Sequence, residues 1–135
     1  MSVTALIVDD SATARQIISY HLREAGCTII GEAANATTAL KLFRERKPAV
    51  VTLDLMMPRI LNVDSMALLR TMKREMPEVA VIVVSVIPFE KTRNDFLEQG
   101  VLAYVRKPVN DSTFEPVRIK LRQVFPELAA AQLQR

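Results

Sequence analysis

The stretch AVVTLDLMMP, residues 49–58, decides the fold. Val50–Leu53 are apolar or β-branched at successive positions and run straight into a carboxylate, Asp54. A strand with one face in water alternates apolar and polar residues, so a continuous run of this length suits a parallel strand buried on both faces. Four more such runs lie along the chain: Ala5–Val8, Thr28–Ile30, Val79–Val84 and Ala103–Val105. Helical periodicity fills the gaps between them. Ala14, Ile17, Ile18, Leu22 and Ala25 recur on one face, and Gly26 stops that helix. Ala39, Leu40 and Phe43 follow Thr37, read as an N-cap, and end at Pro48; Met66, Leu69, Met72 and Lys73 lead to Pro77. Phe89, Phe96 and Leu97 lead to Gly100, and a last helix starts near Ser112 or Thr113, which keeps Pro116 in its first turn. Five β/α units in series give a doubly wound five-stranded parallel sheet with helices on both faces, because crossovers are right-handed.

The 135 residues, 50% hydrophobic and 24% charged, make one domain with a real core and leave no room for a second. Residues 1–125 are read as that domain, and 126–135 as a tail that extends the last helix or frays. The net charge of +3 suggests a polyanion partner until it is located: residues 1–100 hold 12 Lys+Arg against 12 Asp+Glu, and residues 101–135 hold 6 against 3. With the surplus confined to the C-terminal quarter and no Trp, no direct nucleic-acid binding is expected. A single cysteine, Cys27, forms no intramolecular disulfide and fits a reducing compartment. No signal peptide and no apolar run of membrane-spanning length is found, so a cytoplasmic protein is expected.

Functional groups of such sheets gather at the carboxyl ends of the strands. The first strand ends in Asp9 and Asp10, the third in Asp54 and the fourth in Ser85, and the fifth is followed by Lys107 and Pro108. Any one of these aspartates alone reads as a helix cap. Three carboxylates converging without a cation would repel one another and raise their pKa values, which argues for a divalent metal. All-oxygen donors point to Mg²⁺, or Mn²⁺ in its place, rather than zinc.

ALIVDDS (5–11), VTLDLMMP (51–58), VIVVS (81–85) and YVRKP (104–108) together resemble the signatures of response-regulator receiver domains of the chemotaxis-regulator type, over roughly residues 3–125. The resemblance implies a flavodoxin-like fold and two-component signalling. It implies that Asp54 accepts a phosphoryl group from a histidine kinase or phosphotransfer protein. Asp10 would bind the metal directly, Asp9 through water, and Asp54 and the backbone carbonyl of Met56 would complete the protein's share. Lys107 precedes a proline bond that is typically cis in the family; Ser85 is the hydroxyl that moves toward the phosphoryl group, and Tyr104 the aromatic that turns into the space it leaves. The helix after the fourth strand, the fifth strand and the last helix would then present an altered surface to a downstream protein, as a monomer or a phosphorylation-dependent dimer.

The chain departs from the family pattern in two places. Asp64-Ser65 takes the place of the usual Asp-Gly, with about three extra residues in the preceding loop, RILNVDS. Val86 follows Ser85 where Ala or Gly is usual, and is expected to slow phosphoryl exchange. His21 reads as a packing residue of the first helix rather than a phosphohistidine relay, and Cys27 as a buried filler. Met66, Met72 and Met76 read as core or groove lining; Arg118, Lys120 and Arg122 as a solvated face or a site for an acidic partner. The expected function is a stand-alone receiver, a signalling switch that catalyses phosphoryl transfer onto itself and its slow loss, not a turnover enzyme. The alternatives are a receiver cut from a larger regulator or hybrid kinase, and an aspartyl-phosphate phosphohydrolase of the haloacid-dehalogenase type. The last carries its nucleophile on the first strand and needs a cap, for which 135 residues leave no room.

Overall fold

A computed structural model describes residues 2–57, 64–87, 95–96 and 98–133. In chain order these form β1 (Thr4–Val8), α1 (Ala12–Glu24), β2 (Thr28–Ala33), α2 (Ala36–Arg46), β3 (Val50–Leu53), α3 (Ser65–Glu75), β4 (Ala80–Ser85), β5 (Ala103–Arg106), α4 (Asp111–Val124) and α5 (Pro126–Leu133). The strands make one parallel sheet in the order β2-β1-β3-β4-β5. The chain winds one way from β1 to β2 and the other way from β3 on, so the order reverses between β1 and β3. The register pairs Val8 with Leu53 and Leu53 with Val83, and Asp9 and Asp54 therefore leave the sheet side by side at the crevice where such folds bind ligands.

Alternation along each strand divides the core. Ala5, Ile7, Val50, Ile82, Val84, Ala103 and Val105 face α1 and α4, packing on Ile18, Leu22, Phe114, Val117 and Leu121. Leu6, Val8, Val51, Leu53, Val81 and Val83 face α2 and α3, packing on Ala39, Phe43, Leu68, Leu69 and Met72. Both faces of β1, β3 and β4 are thus buried, which is why their sequences lack alternation. The edge strand β2 is half-exposed and runs to Ala33, three residues beyond the apolar run that announces it.

The helix ends depart further from the pattern expected from sequence than the strands do. Helix α2 is capped by Asn35, whose side chain accepts the Thr38 N–H at 2.9 Å, not by Thr37. Helix α4 begins at Asp111, capped by Asn110 in a reciprocal box with Thr113, so Pro116 sits in the second turn rather than the first. The ring is tolerated there because Pro116 and Ser112, whose carbonyl loses its helical donor, are both exposed. Gly26 follows the end of α1 with φ +102°, a left-handed conformation that favours glycine. Ile17, read from sequence as core, is 41% exposed. Between β4 and β5, Phe96 is buried in a helical turn that ends before Gly100, whereas Phe89 and Leu97 lie outside the described residues. The tail is a separate helix, α5, which buries Leu128 on the core.

Met72 is fully buried, with Met66 and Met76 packed on the same core. Cys27 is buried, which pushes its thiol up to about 11. His21 is buried, stacked on Phe114 at 5.3 Å, with its Nδ1 3.3 Å from Nη2 of Arg118. A guanidinium only donates, so a hydrogen bond there uses the unprotonated Nδ1, in keeping with burial and Arg118 holding the imidazole below the ordinary 6.5. Arg118 is therefore no solvated residue: besides His21 it bonds Asp111 and pairs with Glu115. Lys120 is exposed and donates to the Leu102 carbonyl, and Arg122 is half-buried. Among the described residues no helix is long and apolar enough to cross a membrane.

Candidate functional site

At the carboxyl edge the last residue of each apolar run hands over to a polar one. The Asp9 N–H still bonds the Ala33 carbonyl of β2, and the Asp54 N–H the Val8 carbonyl of β1, both at 2.9 Å, so both aspartates are fixed by the sheet. One carboxylate oxygen from each of Asp9, Asp10 and Asp54 lies within 4.8 Å of the other two. Asp9 and Asp54 are 0% and 2% exposed, whereas Asp10 faces solvent.

Lys107, carried in from β5, sets its Nζ 2.8 Å from Asp9 Oδ2 and 3.4 Å from Asp54 Oδ2. The Lys107-Pro108 peptide is cis. Burial pushes the Asp54 carboxyl above the usual carboxylate range; the Met56 N–H, donated to Asp54 Oδ1 at 3.0 Å, opposes this, the charge of Asp9 adds to it, and Lys107 pulls it back. Burial works against the Lys107 ammonium, but its contact with Asp9 and the charges of Asp54 and Asp9 outweigh that and hold it above the ordinary lysine value. Three carboxylates against one ammonium leave an excess of negative charge. Hard oxygen donors converging on a small volume fit a divalent cation such as Mg²⁺ or Mn²⁺.

Ser85, fully buried at the end of β4, accepts the Ile87 N–H on its Oγ at 3.3 Å. The hydroxyl of Tyr104, a half-buried residue of β5, donates to the Ile87 carbonyl. One peptide segment therefore joins the two side chains. Val86 is 53% exposed and lines a groove with Thr13, Ala14, Ile17, Lys107 and Pro108. Met56, two residues beyond Asp54, is exposed.

Three residues of the site escape a reading of strand ends. Ser11 caps α1 and donates its N–H to Asp9 Oδ1 at 2.9 Å; a serine after an acidic pair and before a helix was the available signal. Arg15 donates to the Asp9 main-chain carbonyl at 2.7 Å and pairs with Glu32 of β2 at 3.1 Å. The Ser65 hydroxyl donates to the Asp54 main-chain carbonyl at 2.8 Å. Neither of the last two has a local sequence signature.

Residues 5–116 match the family model for the response regulator receiver domain. The chain is 31% identical over 119 residues to the chemotaxis protein CheY of Thermotoga maritima, covering 88% of this chain and 92% of that one. It is 30% identical over 131 residues to a response regulatory protein of Vibrio parahaemolyticus, 96% of this chain but 52% of the other, so it spans about half the length of that relative. Among solved structures, a chain of the CheX-CheY-BeF3-Mg²⁺ complex from Borrelia burgdorferi superimposes with a TM-score of 0.77 at 26% identity, covering 90% of this chain and 88% of that one.

Proposed function

The chain belongs to the response-regulator receiver family, and from that premise we propose that it is a stand-alone phosphorylation switch whose acceptor is Asp54. Receiver domains are signalling switches that bind Mg²⁺ at an acidic pocket and interact with kinases, phosphotransfer proteins and downstream targets. The observation that carries the reading is the meeting of Asp9, Asp10 and Asp54 around one point, with the Lys107 ammonium bridging two of them.

The carboxylate of Asp54 attacks the phosphorus of a phosphohistidine or small acyl phosphate; a new P–O bond forms as the donor's bond to phosphorus breaks, and the electron pair leaves with the donor. The Met56 N–H holds the plane of the attacking carboxylate, and Lys107 neutralises charge on the transferring oxygens. Asp9, Asp10, Asp54 and the Met56 carbonyl would hold Mg²⁺, or Mn²⁺, which would supply the remaining positive charge. Ser85 then turns its hydroxyl toward the phosphoryl oxygens and gives up the Ile87 N–H. The Ile87 carbonyl, shared with Tyr104, carries that change to β5 and α4, the surface offered to a downstream protein. The phosphoryl group shifts this equilibrium by its different contacts in the two states.

Incubation with Mg²⁺ and acetyl phosphate tests the reading against a turnover hydrolase. One phosphoryl group per chain, lost slowly, is expected. Steady multiple turnover of phosphomonoesters, or loading independent of Mg²⁺, would overturn it.

A further inference from the structure

The main chain of Asp54 has one polar group that the sheet cannot satisfy. Pairing between β3 and β4 ends at Leu53 with Val83, so the Asp54 N–H has the Val8 carbonyl but the Asp54 carbonyl lies beyond the ladder. The residue is 2% exposed, too deep for that carbonyl to be left to water. Ser65, the first residue of α3 and itself 6% exposed, donates its hydroxyl to it at 2.8 Å. Within the same segment the Met56 N–H closes back onto Asp54 Oδ1 at 3.0 Å. Residues 54–56 are thus held from two directions. Rotation of the peptide after Asp54 would displace Met56, and with it both the N–H that holds the Asp54 carboxylate and the carbonyl read above as a metal ligand.

We infer that Ser65 is a positioning residue of the acceptor: its hydroxyl, delivered by the start of α3, fixes the 54–56 turn so that the Asp54 carboxylate and the Met56 carbonyl are presented together to the metal. This rests on the reading of the site given above. The tie belongs to this sequence, since the glycine expected at position 65 from the family pattern has no hydroxyl to give. Asp64 beside it does a separate job, capping α3 by accepting the Ala67 N–H at 2.8 Å. The two functions are therefore separable by substitution.

The test uses the full chain and compares Ser65→Ala, Ser65→Thr and Asp64→Ala. Mg²⁺ affinity is measured by calorimetry, thermal unfolding is measured without metal, and the rate of loading from acetyl phosphate is followed against Mg²⁺ concentration. A residue that orients metal ligands costs about tenfold or more in affinity when removed, so Ser65→Ala should raise the Mg²⁺ dissociation constant by about tenfold, with the half-saturating Mg²⁺ for loading rising in step. Restoration by Ser65→Thr, which returns the hydroxyl, supports the assignment. Asp64→Ala should lower the unfolding midpoint and leave Mg²⁺ affinity near that of the parent. Unchanged affinity in Ser65→Ala, or an equal loss in Asp64→Ala, would overturn the inference while leaving the acceptor site standing. A parent chain that neither binds Mg²⁺ nor takes up phosphoryl would instead overturn the site itself.

Discussion

At the amino edge of the sheet, Val3, Ala25, Cys27 and Leu128 close the core with apolar side chains; at the carboxyl edge, Asp9, Asp54 and Ser85 are buried to the same depth. Val3 and Asp9 flank the same strand, β1, with only its five residues between them. At one end burial removes apolar surface from water and stabilises the fold. At the other it brings carboxylates together with one lysine, pushes the Asp54 carboxyl up and leaves charge uncompensated. The apolar end holds the fold and so allows a strained, cation-seeking cluster at the other, the distribution expected when a site's chemistry opposes its stability.

Four changes probe that division, from the largest expected effect on stability to the smallest. Leu22, fully buried on the inner face of α1, belongs to the apolar side; Leu22→Ala should cost about 2–5 kcal/mol in denaturant unfolding and leave Mg²⁺ affinity of the folded protein unchanged. A large loss of affinity would show that the two ends are not independent. Mg²⁺ at a hundredfold above its dissociation constant should stabilise the fold by about 2.7 kcal/mol, and calorimetric unfolding of Asp10→Ala should show that gain removed.

His21 gives a smaller, pH-dependent effect. Burial first, then Arg118, hold its imidazole below the ordinary 6.5, against the opposing charges of Asp111 and Glu24. A lowered native value means that stability is fully present above pH 6.5 and is lost as pH falls through 6.5 toward the native value. His21→Gln should flatten the acid side of the unfolding midpoint against pH, and an NMR titration of the imidazole should give a midpoint below 6.5. A midpoint above it would contradict the Arg118 hydrogen bond. Val86→Ala, at an exposed position, should change stability by no more than about 0.5 kcal/mol while speeding loading or loss of the phosphoryl group; unchanged rates would remove Val86 as a gate.

The division also separates what sequence reveals from what it hides. Strands buried on both faces must be apolar at successive positions, so β1, β3 and β4 are visible as runs, the edge strands β2 and β5 as shorter ones, and right-handed crossovers then leave few topologies. Asp9, Asp10, Asp54, Ser85 and Lys107 are visible because each interrupts or follows such a run. Caps are harder: Asn35, Thr37 and Thr38 all carry suitable oxygens, and the choice turns on backbone geometry that a row of polar residues does not encode. Arg118 carries the same ambiguity, since a charged residue on an outer helix reads as solvated until Asp111 and His21 are seen beside it. Arg15 and Ser65 are hidden for a different reason. Each acts on a main-chain carbonyl of the site, and a carbonyl has no letter in the sequence.

The phosphoryl group is expected on Asp54 and nowhere else. Borohydride reduction of the chain after loading with acetyl phosphate and Mg²⁺ converts an aspartyl phosphate to homoserine, and peptide mass mapping locates it. Homoserine is expected at position 54 and absent without Mg²⁺; reduction at another aspartate, or at none in a chain that has consumed the donor, would rule out Asp54 as the acceptor.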